Sequence, residues 1–357
     1  MQCKIIAVIL AITMILSLGF GCCVEKKEAS ESMPPIQKSI PVVDLHCDSL
    51  LEIVDKGRNL SIRSDRGHLD VPRMKEGGVE VQCFAVWISP IYYPNRSFER
   101  AEKITDAFEK FVKENRGVEQ AFNSKNIAEI NGQGKIAAIL VIEGGSALEG
   151  KLSNLDYFYD LGVRYITLTW SYSNQIADGV YERFPKSRKS NQGLTEFGKE
   201  VIKKMNELGI LIDVSHMSET SFWQVVNCSK QPVIASHSSV WELCNHKRNL
   251  KDGQIKAIAE KGGVIGINFC PSFLNESGKA TLEDVVEHIN YVVDLVGVDY
   301  VAIGSDFDGI DSTPAGLEDI VCFPALTQSL LEEGYSRNEV EKIMGENFLR
   351  VFKEVCG

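Results

Sequence analysis

A closed (β/α)8 barrel is the fold class this 357-residue sequence predicts, on three observations. Eight short runs of apolar and β-branched residues recur along the chain, each bounded by turn signals. Amphipathic stretches of helical period separate most of them. No Gly-rich phosphate turn follows the first run, where an open doubly wound sheet would carry one: "DLHCDSL" has none. Strands that are apolar almost throughout belong to parallel sheets covered on both faces, and eight such units without an obvious linker point to a closed barrel.

In order, the runs are "VVDLHCD" (42–48), "VEVQCFAVWIS" (79–89), "IAAILVIEGG" (136–145) and "VRYITLTW" (163–170). Then come "ILIDVSH" (210–216), "PVIASHS" (232–238), "GVIGINF" (263–269) and "YVAIGSDFDG" (300–309). Between the second and third, "SFERAEKITDAFEKFVKEN" gathers Phe98, Ala101, Ile104, Phe108 and Val112 on one helical face. "LTEFGKEVIKKMNELG" and "LEDVVEHINYVVDLVG" repeat the pattern and both stop at Gly. "SETSFWQVVN" opens with cap residues from Ser218 to Thr220.

A formal net charge of −11 argues against a nucleic-acid partner, and no Lys/Arg cluster reverses it locally. Residues 1–22 read as a secretory or lipoprotein-type leader: one positive charge at Lys4, an apolar run from Ile5 to Phe20, then small residues and cysteine. The run is short for a membrane span. "GFGC" resembles a bacterial-type lipobox, so the first reading is a cleaved chain held to the membrane by lipid on Cys22, and the second an uncleaved N-terminal anchor. Either places the protein in the cell envelope, outside the cytoplasm, with a secreted form as the other outcome of such a leader. Residues 23–39 form a polar tether with a Pro pair, and 40–357 a single barrel domain. Beyond the leader seven cysteines are scattered without any CxxC, which supports neither a zinc ribbon nor a redox motif.

Barrel enzymes do their chemistry at the C-terminal ends of the strands. Here those ends hold "HCD", "EGG", "TW", "SH", "SHS" and "SDFDG". Of six histidines, three (His46, His216 and His237) terminate predicted strands. Strict alternation would put Asp44, His46 and Asp48 on one face, with Cys47 outward; likewise Ile139, Val141 and Glu143, and again Val233, Ala235 and His237. Three imidazoles and two carboxylates at one mouth suit two divalent ions, zinc or a similar borderline metal, with one carboxylate as bridge. Such a pair acidifies a shared water and polarises a carbonyl. A single buried His is more often a core hydrogen-bonding residue; it is the joint placement that favours ligation. Glu143 closing a long apolar run would be costly as a mere turn residue. His68 reads as structural, His288 as a surface or helix-packing residue. Asp306 and Asp308 could be a turn pair; with ligands on the other strands, Asp306 is the better candidate for a proton shuttle. Arg248, on the loop after His237, could clamp a carboxylate bidentately.

The ordered set "DLHCD", "LVIEGG", "IDVSHMSE", "VIASHSS", "RNL", "GGVIGINF" and "GSDFDG" resembles the membrane (renal) dipeptidase family of metallopeptidases, over essentially the whole predicted barrel. The resemblance implies a zinc-dependent dipeptidase with two zinc ions per chain. His46 and Asp48 would bind one, His216 and His237 the other, and Glu143 would bridge them. It also implies Asp306 as acid/base, Arg248 on the substrate's terminal carboxylate, tolerance of a C-terminal D-residue, and often a homodimer. One departure stands out: where the best-known members follow the fourth strand's "LT" with a substrate-contacting His, this chain has Trp170, whose indole donates a hydrogen bond but shuttles no proton at neutral pH. Two other readings stay open: a related binuclear amidohydrolase acting on N-acyl amino acids or lactones, and a non-catalytic peptide-binding lipoprotein.

Overall fold

In the computed structural model, the described residues are 40–181 and 192–357. The leader, with Cys22, and the tether lie outside them. Nine parallel strands form one sheet: β1 (Val42–Cys47), β2 (Val79–Trp87), β3 (Val118–Gln120), β4 (Ile136–Glu143), β5 (Val163–Thr167), β6 (Leu211–Asp213), β7 (Val233–Ser238), β8 (Ile265–Ile267) and β9 (Val301–Ile303). Eight of them close in the order β2-β1-β9-β8-β7-β6-β5-β4, with β4 returning to β2. The ninth, β3, pairs with Ile136–Ala138 of β4, below the point where β5 begins. Its "VEQ" has no apolar run to announce it.

Two apolar layers show which way each strand faces. Val81, Cys83 and Ala85 of β2, and Ala137, Ile139 and Val141 of β4, pack together inside the barrel. Phe348, Val351 and Phe352 from the helix Asn347–Cys356 join them and close the floor of the lumen. The intervening residues (Phe84, Val86, Leu140 and Ile142) belong to the outer layer, under the helices. The helix Ser97–Glu114 buries Ala101, Ile104, Phe108 and Phe111 there, as its 3.6-residue period requires. The helix Glu219–Cys228 starts where Ser218 accepts the Ser221 N–H, and Glu196–Leu208 stops at Gly209 in the left-handed region. His288 is no surface residue: it is buried, accepts the Val240 N–H at Nδ1 (3.0 Å) and sets Nε2 3.0 Å from the Leu274 carbonyl.

Strict alternation holds for β4 and fails on the two strands that carry histidine. In β1, Asp44 pairs with Gln82 and Cys47 with Phe84, so Leu45 and His46 together oppose the single residue Cys83. In β7, Ala235 pairs with Ile265 and Ser238 with Ile267, so Ser236 and His237 together oppose Gly266. Each is a β-bulge, an extra residue that re-aims the side chain after it. The expected faces are therefore corrected. Asp44 lies on the helix side of the sheet, taking hydrogen bonds from Gln82 Nε2 (2.9 Å) and from Ser305 N and Oγ (2.8 and 2.7 Å). Val233 and Ala235 also face the helices, whereas His237 turns inward.

Candidate metal centre

Each inward polar group at the mouth owes its direction to a local backbone feature. Glu143 continues the lumen series of β4 by plain alternation. His46 and His237 come in through the bulges, and their rings meet with centroids 3.9 Å apart, tilted by 32°. His216, three residues beyond β6, has φ +68°, and Asp306, three beyond β9, has φ +62°. Non-glycine residues in that region are strained and concentrate at functional sites. Gly144, with φ +93°, lets Trp170 pack against the backbone just after Glu143: a Cβ there would stand 3.3 Å from that of Trp170.

The two oxygens of Glu143 face opposite ways. Oε2 is 3.5 Å from His46 Nε2, while Oε1 is 2.8 Å from His216 Nε2 and 3.5 Å from His237 Nε2. Asp48 Oδ2 approaches His46 Nε2 at 3.7 Å. The ligating atoms of His46, Glu143 and His237 lie within 4.8 Å of one another, and so do those of His46, Asp48 and Asp306. His216 Nε2 adds a 2.8 Å contact to His237 Nε2.

Hydroxyl groups behind the rings set the tautomers. Tyr165 Oη donates to the Leu45 carbonyl (2.5 Å), leaving a lone pair to accept from His46 Nδ1 at 3.2 Å. Ser236 Oγ donates to Asp213 Oδ2 (2.6 Å) and accepts from His237 Nδ1 (2.7 Å). Ser171 Oγ stands 2.9 Å from His216 Nδ1. With their protons on Nδ1, His46 and His237 turn bare Nε2 atoms toward carboxylate oxygens. His46 Nε2 and Asp48 Oδ1 are buried with no hydrogen-bond partner, acceptors facing acceptors, and a cation satisfies such a cluster.

Electrostatics point the same way. Burial, with Arg248 and His46 adding to it, holds the pKa values of His216 and His237 well below the ordinary value, so both imidazoles stay neutral and able to ligate. Burial also pushes His46 down, but the Glu143 and Asp48 carboxylates outweigh it and raise that group strongly. The carboxylates that would otherwise draw a proton to the bare His46 Nε2 favour any positive charge there, a metal cation included. The residues present therefore fit divalent ions.

The remaining predicted residues fall around this cluster. Burial raises the Asp306 carboxyl to about 6, with the His46 charge opposing, and Asp306 Oδ2 accepts from Asn268 Nδ2 at 2.9 Å. Asp308 faces away, bound to Ser49 Oγ (2.5 Å), the His68 N–H (2.6 Å) and Arg58 Nη1 (3.3 Å). Arg248 is buried and donates to the His237 carbonyl (3.1 Å). With His216, Ser238, Trp241 and Lys247 it lines a cavity of about 230 Å3. The Trp170 ring stands 6.0 Å from that of His216. Sequence reasoning passed over Asp213, Tyr165, Ser171 and Ser236. Asp213 and Ser236 sit in the "DVSH" and "SHS" of the same strand ends, so polar neighbours one to three residues before each His were the signal. No disulfide joins the seven described cysteines.

The profile of a family described as Membrane dipeptidase (Peptidase family M19) matches residues 30–356. The dipeptidase aclJ of Aspergillus oryzae is 33% identical over 300 residues, 81% of this chain and 70% of that protein. Among solved structures, a metallopeptidase from Rhodobacter sphaeroides, determined with a phosphinate mimic of the dipeptide L-Ala-D-Ala, is 30% identical. It superposes with a TM-score of 0.81 over 88% of this chain and 99% of its own. A metallopeptidase called dipeptidase AC is 31% identical, with a TM-score of 0.82 over 89% and 99%.

Proposed function

The chain belongs to the membrane dipeptidase family, and from that premise we propose that it is a metal-dependent dipeptidase, hydrolysing the peptide bond of a dipeptide at the mouth of the barrel. The observation that carries the reading is the division of the Glu143 oxygens between His46 on one side and His216 with His237 on the other. Two divalent ions, zinc in our reading, would be held by His46 and Asp48 and by His216 and His237 with Glu143 between them, supplying acidification of a water and polarisation of the peptide carbonyl.

The protein's own groups do the rest. Arg248 holds the terminal carboxylate from the loop after β7, fixing which bond is presented. Asp306, its pKa raised to about 6 by burial, takes the proton of the attacking water and returns it to the departing amine. Trp170 lies beside His216 and forms part of the wall of the site. The cavity between Arg248 and His216 takes the second residue, and we propose that D-residues fit there; the relative solved with an L-Ala-D-Ala mimic supports this. Attachment to the envelope through Cys22 is proposed from the leader alone.

Metal analysis combined with a panel of L-L and L-D dipeptides tests the assignment. About two equivalents of divalent metal and chelator-sensitive cleavage are expected. No turnover of any dipeptide after metal is restored, or turnover only of N-acyl amino acids or lactones, would refute it.

A further inference from the structure

Trp87 ends β2 and has no part in the site as described so far. Alternation carries Val81, Cys83 and Ala85 into the lumen, so Trp87 is the next inward residue of the series. It pairs in register with Glu143, the next inward residue of β4. Its ring meets that of Trp170 edge-on, centroids 5.2 Å apart at 72°. Its Nε1 is buried and has no hydrogen-bond partner among the described residues.

An indole N–H only donates, so whatever completes it must be an acceptor. In a dipeptide this excludes the α-ammonium and leaves two backbone groups, the terminal carboxylate and the peptide oxygen. The carboxylate belongs to Arg248, on the loop that follows β7. In the closed strand order β7 lies four strands from β2 in either direction, on the opposite side of the mouth. The peptide oxygen remains, and it must sit near Glu143, the neighbour of Trp87 across the β2–β4 pair.

We propose that Trp87 donates its Nε1–H to the oxygen of the scissile peptide and holds that oxygen as charge accumulates on it in the tetrahedral state. The inference rests on the dipeptidase reading above. No bond to the indole forms or breaks; the residue acts by a hydrogen bond placed in advance where charge develops. Trp170 fixes the ring that carries it.

The test compares Trp87→Phe, which keeps a ring and loses the donor, with Trp87→Tyr, which keeps a donor, in metal-loaded protein. For Trp87→Phe we expect kcat to fall by about 100-fold and inhibition by the phosphinate mimic of L-Ala-D-Ala to weaken by about the same factor. KM and metal content should hardly change. Trp87→Tyr should recover at least about tenfold of the loss. Retention of kcat and phosphinate affinity by Trp87→Phe overturns the proposal, as does an equal loss in both variants or a loss of metal from either. A wild-type protein that cleaves no dipeptide sinks the dipeptidase reading and this inference together; an active one with an indifferent Trp87→Phe sinks only the inference.

Discussion

His237 depends on a hydroxyl and a carboxylate that never reach the cluster themselves. Ser236 passes the charge of Asp213 to the His237 Nδ1 proton, fixing ring and tautomer together. Removing such a partner costs about 10–100-fold in metal affinity. Ser236→Ala should therefore release one equivalent of metal to a competing chelator at about 10–100-fold lower chelator concentration, a titration that needs no substrate. Asp306→Asn should behave in the opposite way, retaining metal while turnover drops by about 10²–10⁴-fold. Surviving turnover in that variant would remove Asp306 from the proton path. At this scale the residue types were legible, because His and carboxylate at the ends of apolar strands are costly without compensation. Tyr165 was not legible: it reads as one more strand aromatic, and only closure of the barrel brings its hydroxyl to His46.

The elements explain why alternation alone would have misplaced two ligands. By the parity of their strands His46 and His237 should join Val42 and Ala235 under the helices, and the extra residue in each strand reverses this. A bulge leaves little trace in composition, so the sequence marked the residues but not the device that turns them. Gly266, opposite the β7 bulge, and Gly304, just past β9, are its signs, each lying against the Ser236 carbonyl. A Cβ at Gly266 would overlap the Ser236 carbonyl oxygen. Gly266→Ala should accordingly destabilise the protein by about 1–3 kcal/mol in urea unfolding and weaken metal retention through His237. Unchanged stability would mean that the bulge tolerates displacement. Glu143 and Trp87 need no such device, and their direction follows from period-2 alternation.

For the whole molecule, eight apolar runs were enough to predict the barrel, because each parallel strand is buried on both faces and so announces itself. The ninth strand and the floor were hidden, since "VEQ" holds a single apolar residue and a C-terminal amphipathic helix looks the same whether it covers a flank or a floor. The converging acidic and imidazole groups at the mouth also make ion binding a term in global stability. Chelation should lower Tm by about 4 °C if metal is supplied at about 100 times its Kd, from the ~2.7 kcal/mol that such saturation contributes in a domain of this length. A Tm indifferent to chelator would argue against a resident ion. The apolar plug formed by Phe348, Val351 and Phe352 has a kinetic consequence as well. Among the described residues the lumen is filled at that end, so both amino acids leave through the mouth by which the next dipeptide enters. With Arg248 holding the terminal carboxylate as proposed, a free amino acid lingering there would stand in the way of incoming substrate, and slow clearance would show as inhibition by product.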